Sequence, residues 1–66
     1  MRLVVNGQTR QLSDGATLKQ LVDQFGLSPT RVAVEVNREL VRRANYERTV
    51  LHDGDQVEIV TLVGGG

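Results

Sequence analysis

The stretch Thr17-Leu18-Lys19-Gln20-Leu21-Val22-Asp23-Gln24-Phe25-Gly26 carries the clearest helix pattern in this chain of 66 residues. Its apolar residues recur at i, i+3, i+4 and i+7, so they share one face of a helix. These residues are Leu18, Leu21, Val22 and Phe25. Thr17 and Gln20 have the spacing of a capping box, and Gly26 stands where glycine often ends a helix. A single helix cannot be buried on all sides, so we expect its apolar face to pack on a sheet.

Strand patterns flank this helix on both sides. Residues 3–5 are apolar and precede Asn6-Gly7, the strongest short hairpin signal, so residues 8–12 are predicted to return as a second strand. After the helix, valines alternate with other residues over 32–36, which is typical of a strand with one buried face. Asn37-Arg38 is predicted to turn the chain into a short strand at 39–41.

The segment before the last strand has no clear period. We predict that residues 42–51 are irregular, with one short helical turn, and that 52–55 turn into a strand beginning at Val57. The order is therefore ββαβ(β)β. The first hairpin is antiparallel, so the first and last strands are free to lie side by side in the middle. This arrangement is the β-grasp, an α+β fold with a mixed four- to five-stranded sheet and one main helix packed on one face.

Composition excludes several classes of function. The chain has eight basic and eight acidic residues and no cysteine, which excludes disulfides, thiolate metal sites and a sulfur nucleophile of its own. The balanced charge favours neither nucleic acid nor membrane as a partner, and no apolar run approaches the roughly 20 residues of a membrane helix. The turn at Asn6-Gly7 comes too early for a signal peptide, so we expect a soluble cytoplasmic protein. His52 has no second histidine beside it, and neither a metal site nor a catalytic residue is expected.

The chain ends in Val57-Glu58-Ile59-Val60-Thr61-Leu62-Val63-Gly64-Gly65-Gly66, a predicted strand that runs into three glycines. We therefore divide the chain into a folded domain at 1–63 and a flexible tail at 64–66. Glycine has no Cβ, so such a tail can lie in a slot too narrow for other residues. From Thr61 the tail would carry its terminal carboxylate about 20 Å. A frayed terminus explains the glycines equally well when they are taken alone.

The faces of the last strand predict a docking surface beside this tail. If Val57 and Ile59 pack under the helix, Val60 and Leu62 face outward. By the same alternation Val4 faces outward from the first strand, which is expected to be its neighbour. We expect these three residues, together with Val63 and Gly64 at the root of the tail, to contact a partner. They are Val4, Val60, Leu62, Val63 and Gly64.

Five segments together resemble one family. They are Val32-Ala33-Val34-Glu35-Val36-Asn37 with Val41, Arg43 with Tyr46, Asp53-Gly54-Asp55, Val57-Glu58-Ile59-Val60, and Val63-Gly64-Gly65-Gly66. This combination resembles the ThiS family, ubiquitin-like sulfur carriers of thiamine biosynthesis. The family often has proline where Arg42 stands and varies where Leu62 stands, and both positions lie outside the reacting end.

The resemblance implies a protein cosubstrate that is not itself an enzyme. An E1-like adenylating enzyme would use ATP and magnesium to activate the carboxylate of Gly66, with Gly65 beside it in the reactive end. An external persulfide donor would then supply sulfur, and the resulting thiocarboxylate would deliver it to thiazole synthase. This chain would bind no cofactor itself. Three alternatives stay open: a carrier for molybdopterin synthesis, a carrier for tRNA thiolation, and a ubiquitin-like modifier or interaction domain without sulfur chemistry.

Overall fold

The computed structural model describes residues 1–62, in which five strands, one α-helix and two short 3₁₀ helices are found. The strands are β1 (Arg2–Val5), β2 (Gln8–Gln11), β3 (Val32–Val36), β4 (Glu39–Val41) and β5 (Gln56–Thr61). The helix is α1 (Leu18–Gln24), and the 3₁₀ helices cover Pro29–Arg31 and Arg43–Arg48. The expected boundary between domain and tail lies outside the described residues.

The strands form one mixed sheet in the order β2-β1-β5-β3-β4. β5 pairs in parallel with β1 and antiparallel with β3, and the two outer pairs are antiparallel. The last strand of the chain is therefore the central strand of the sheet. The predicted β-grasp arrangement is confirmed, and the short strand after Asn37, which is β4, brings the number of strands in the described residues to five.

Helix α1 begins and ends as its sequence predicts. The Thr17 hydroxyl accepts a hydrogen bond from the Gln20 amide at 3.3 Å, and the Gln20 side chain accepts one from the Thr17 amide at 2.8 Å. Gly26 has a φ of +70°, a left-handed conformation that glycine adopts without strain. These local contacts fix where the helix starts and stops.

One layer of apolar side chains between α1 and the sheet forms the core. Leu18, Leu21 and Val22 of α1 are fully buried, and Phe25 is half-buried. The Arg10 guanidinium lies over the Phe25 ring, 5.0 Å from its centroid, and so covers the edge of this layer. The sheet contributes the other side of the core through Leu3, Val5, Val32, Val34, Val57 and Ile59.

The segment without a clear period is more ordered than its sequence predicts. The second 3₁₀ helix spans six residues and buries Tyr46, and Leu51 behind it is also buried. The Leu18 amide donates to the Thr49 carbonyl and the Leu51 amide to the Ala16 carbonyl, so the segment crosses the start of α1. Burial raises the pKa of the Tyr46 hydroxyl. The core is thereby closed by residues that no periodicity indicated.

Candidate functional site

β5 leads directly to the predicted reactive end, so its contacts determine where the tail leaves the domain. On one side it pairs with β3 up to Thr61, which lies opposite Val32. The Leu62 amide then donates to the Arg31 carbonyl at 2.7 Å. The chain is thus held to its neighbour as far as the last described residue.

On its other side β5 is held by the side chain of Asn6. Its Oδ1 accepts a hydrogen bond from the Ile59 amide at 2.7 Å, and its Nδ2 donates to the Ile59 carbonyl at 3.1 Å. The Asn6 amide also donates to the Val57 carbonyl at 2.9 Å. Because the chain turns away at Asn6, where φ is +50°, this side chain takes the place of one more strand residue. The Asn6-Gly7 motif by itself predicts a turn and gives no sign of this contact with β5.

A second turn asparagine holds the start of β5. Asn37 has a φ of +52°, and its Oδ1 accepts from the Gln56 amide at 3.0 Å. Its Nδ2 donates to the Asp55 carboxylate at 3.0 Å, and its own amide donates to the Gln56 carbonyl at 2.7 Å. β5 is therefore held at its start and at Ile59 by two asparagines that also make the neighbouring hairpin turns.

The two faces of β5 differ in exposure as predicted. Val57 and Ile59 are buried under α1, at 1% and 7% exposure. Val60 and Leu62 face away from the helix and are 57% and 53% exposed. The predicted assignment of the strand faces is confirmed, whereas a docking role for Val60 and Leu62 stays a prediction.

Val4 does not join this exposed pair. The register places Val4 opposite Gln56, and Val60 lies four residues further along β5, about 13 Å away at the usual rise of a strand. Val4 is also half-buried and lies opposite Thr9 of β2. The expectation that Val4 adjoins Val60 is therefore wrong, because β5 extends well beyond the end of β1.

The neighbours of Val60 on the open face of the sheet come from β3. Ala33 lies directly opposite Val60 and shares its face. We call Ala33, Val60 and Leu62 the apolar strip. The next pair along is Glu35 and Glu58, which also lie opposite each other, and neither takes part in an ion pair within residues 1–62. A pair of carboxylates thus bounds the strip on the side away from the tail.

The remaining candidate residues are those at the root and the end of the tail, and the single histidine, His52. Val63, Gly64, Gly65 and Gly66 lie outside the described residues. His52 is exposed, with its Nδ1 4.0 Å from the Asp55 carboxylate. In the described part of the chain there is no group of three or more histidine, cysteine or acidic residues that would hold a metal ion. No helix there is long and apolar enough to cross a membrane.

The model of the ThiS family matches residues 3–66, which includes the three terminal glycines. The chain belongs to the ThiS family. Its similarity extends to structure: the crystal structure of the thiamine biosynthesis protein ThiS from Geobacter metallireducens matches with a TM-score of 0.84 at 30% identity, covering 100% of both chains.

Two kinds of curated relative accompany this ThiS-family chain. The sulfur carrier protein ThiS of Thermus thermophilus is 39% identical over 62 residues, which cover 94% of this chain and 95% of the relative. The thiazole synthase of Paramagnetospirillum magneticum is 41% identical over 66 residues. This second match covers 100% of the present chain, yet the chain spans only 20% of the length of that synthase. A ThiS-like segment is therefore found both as a small protein and within a longer polypeptide.

Proposed function

We propose that this chain is a sulfur carrier whose C-terminal Gly66 is converted to a thiocarboxylate for thiazole formation in thiamine biosynthesis. The observation that carries the proposal is the family match, because it runs through the terminal glycines. The fold supports it, since the central strand of the sheet leads into those glycines. The chain acts as a cosubstrate in the cytoplasm, and its partners carry out the catalysis.

The chemistry begins with activation of a poor electrophile. A carboxylate resists attack at neutral pH, so an E1-like adenylating enzyme joins the Gly66 carboxylate to the α-phosphorus of ATP and releases pyrophosphate. That enzyme binds the ATP and magnesium. The acyl-adenylate then carries AMP as a good leaving group.

Sulfur enters from an external persulfide donor. Its terminal sulfur attacks the acyl carbon of Gly66, AMP leaves, and an acyl disulfide to the donor forms. A second thiol attacks the donor sulfur of that disulfide, so the thiocarboxylate leaves on the carrier and a new disulfide forms between the donor and the thiol. Since the chain has no cysteine, both sulfur reagents belong to other molecules.

Thiazole synthase is the proposed recipient of the sulfur. The support is that two thiazole synthases, from Paramagnetospirillum magneticum and Magnetococcus marinus, contain a segment similar to this whole chain. We propose that Val60 and Leu62 contact the partner proteins, together with Val63 and Gly64, while Gly65 and Gly66 enter the active site. Val4, which the register separates from Val60, is left out of this contact.

Intact-mass measurement tests the proposal directly. The chain is incubated with an E1-like enzyme that adenylates carriers of the ThiS family, together with ATP, magnesium and a persulfide donor. The same mixture without the donor is the control. We expect a mass gain of one oxygen-to-sulfur exchange, located in the last peptide. Adenylation without this exchange would refute the sulfur-carrier function and favour a modifier. If oxygen is exchanged for sulfur but the sulfur is not transferred to thiazole synthase, the chain would instead be a carrier for molybdopterin synthesis or tRNA thiolation.

A further inference from the structure

The turn between β1 and β2 places two groups side by side that can react with each other. The backbone nitrogen after an asparagine can attack the side-chain carbonyl carbon Cγ, and a side chain on the attacking residue crowds that approach. Gly7, which follows Asn6, has no side chain. Its amide makes no hydrogen bond within residues 1–62, and both residues are exposed. The attacking nitrogen is therefore neither crowded nor held by a partner in the described part of the chain.

The reaction would remove the side-chain amide of Asn6. The Gly7 nitrogen loses its proton and bonds to Cγ of Asn6, while the bond from Cγ to Nδ2 breaks and the side-chain nitrogen leaves as ammonia. The product is a five-membered succinimide ring. Water then opens this ring at one of its two carbonyls, which gives either aspartate at position 6 or isoaspartate, in which the backbone runs through the former side chain. Water is the only co-reactant.

In the folded chain the same amide is bound to β5. Its Nδ2 donates to the Ile59 carbonyl at 3.1 Å, and its Oδ1 accepts from the Ile59 amide at 2.7 Å. Both polar atoms attached to Cγ are therefore held against the strand. Attack by Gly7 requires the amide to leave these two bonds, so the turn can react only while this part of β5 is detached from Asn6.

We propose that Asn6 is a site of spontaneous deamidation, that its contact with Ile59 protects it, and that the product no longer holds β5. In the aspartate product an oxygen replaces the Nδ2 donor and faces the Ile59 carbonyl oxygen, so a hydrogen bond becomes a repulsion between two acceptors. In the isoaspartate product the turn is longer by one backbone carbon. Either product weakens the hold on the strand that leads to the tail, and the reaction thus limits the lifetime of the intact fold.

Asn37 provides a control within the same chain. It is also exposed, has a φ of +52°, and binds the Gln56 amide and the Asp55 carboxylate through its side chain. It is followed by Arg38, whose side chain crowds the attacking nitrogen. Arg38 has a φ of +70°, so Arg38→Gly relieves backbone strain and creates a second Asn-Gly pair. The two turns then differ only in their surroundings.

The test follows the full chain during incubation at neutral pH, once folded and once in guanidinium chloride. Intact mass reports the exchange of a side-chain NH for oxygen, and peptide mapping assigns it to Asn6 or Asn37 and separates aspartate from isoaspartate. Amide hydrogen exchange measures how often the Ile59 amide opens. The deamidated chain is then separated by ion exchange, and its melting temperature is compared with that of the unreacted chain.

We expect Asn6 to react in the folded chain about 5- to 150-fold more slowly than in denaturant, which is the range for opening two hydrogen bonds. This ratio should equal the protection of the Ile59 amide, because opening and closing are faster than the reaction. In denaturant Asn37 should react much more slowly than Asn6, and Arg38→Gly should raise its rate to that of Asn6. The deamidated chain should melt at a lower temperature and lose protection at Ile59.

Four outcomes would overturn the inference. Equal rates in the folded and denatured chains would show that the contact with Ile59 does not protect Asn6. A ratio that matches the most protected core amides, and not Ile59, would show that only global unfolding admits the reaction. An unreactive Asn6 in denaturant, or an Asn37 that reacts as fast in the wild-type chain, would remove the special reactivity of this turn. An unchanged melting temperature and unchanged Ile59 protection after deamidation would refute the effect on β5.

Discussion

Replacing Asn6 by glycine isolates the side-chain contacts that hold β5. Glycine adopts the left-handed conformation of this position without strain, so the turn itself is retained. The exchange removes both hydrogen bonds between the Asn6 side chain and Ile59. The Ile59 amide and carbonyl then lose their partners in a half-buried part of the sheet, three residues before Leu62.

The expected loss follows from these two bonds. Each hydrogen bond contributes about 0.5–1.5 kcal/mol net, so removing both lowers the free energy of unfolding by about 1–3 kcal/mol. The greater freedom of glycine in the unfolded chain adds about 0.4–1 kcal/mol. A domain of this size has a total stability of about 3–10 kcal/mol, so the variant loses a large share of it. At about 4–8 °C per kcal/mol, the melting temperature should fall by at least about 6 °C.

Urea unfolding and amide hydrogen exchange measure the predicted loss of stability and the predicted exposure of the Ile59 amide. Unfolding gives the change in free energy, while exchange shows whether the Ile59 amide loses its protection before the rest of β5. Asn37→Gly is the control, because it removes two side-chain hydrogen bonds at the start of β5 and leaves Ile59 paired. If Asn6→Gly costs less than about 0.5 kcal/mol and Ile59 stays protected, the side chain does not hold β5 and the reasoning is wrong.

Three further predictions follow from the same strand. Gly65→Val should block adenylation and leave the melting temperature unchanged, because a β-branched side chain restricts the backbone and adds bulk where the tail enters its slot; adenylation at the normal rate would contradict the narrow-slot argument. Val60→Asp should weaken binding to the activating enzyme and thiazole synthase with little loss of stability, since Val60 is 57% exposed; a large drop in melting temperature would show that Val60 belongs to the core. Glu58→Gln should raise the free energy of unfolding by about 0.2–1 kcal/mol at neutral pH, because it removes the repulsion from Glu35 across the strand pair. That gain should disappear in the Glu35→Gln background, and persistence there would exclude repulsion as its cause.

The site is only partly predictable from local sequence. The alternation along β5 correctly separated the buried Val57 and Ile59 from the exposed Val60 and Leu62. Asn6-Gly7 correctly predicted a hairpin. The Asn6 side chain, however, forms its hydrogen bonds with Ile59, 53 residues away. A turn motif does not reveal such a contact, because the partner is set by which strand lies beside the turn.

By itself the sequence determined the features that depend on residues close together in the chain. Neighbours within about four residues set the capping box of Thr17 and Gln20, the apolar stripe of α1 and the faces of the strands. These features can therefore be predicted without coordinates. The family resemblance could also be read from the sequence, because it rests on residue identities along 32–66 and needs no knowledge of which strands are neighbours.

Only the tertiary structure decided how these pieces are staggered. The register that sets Val4 opposite Gln56, and so removes Val4 from the apolar strip, depends on packing between the two ends of the chain. The burial of Tyr46 and Leu51 depends likewise on the gap left beside α1. The physical reason is that alternation specifies which face a side chain takes, whereas the shift of one strand along another is set by the whole core and its loops.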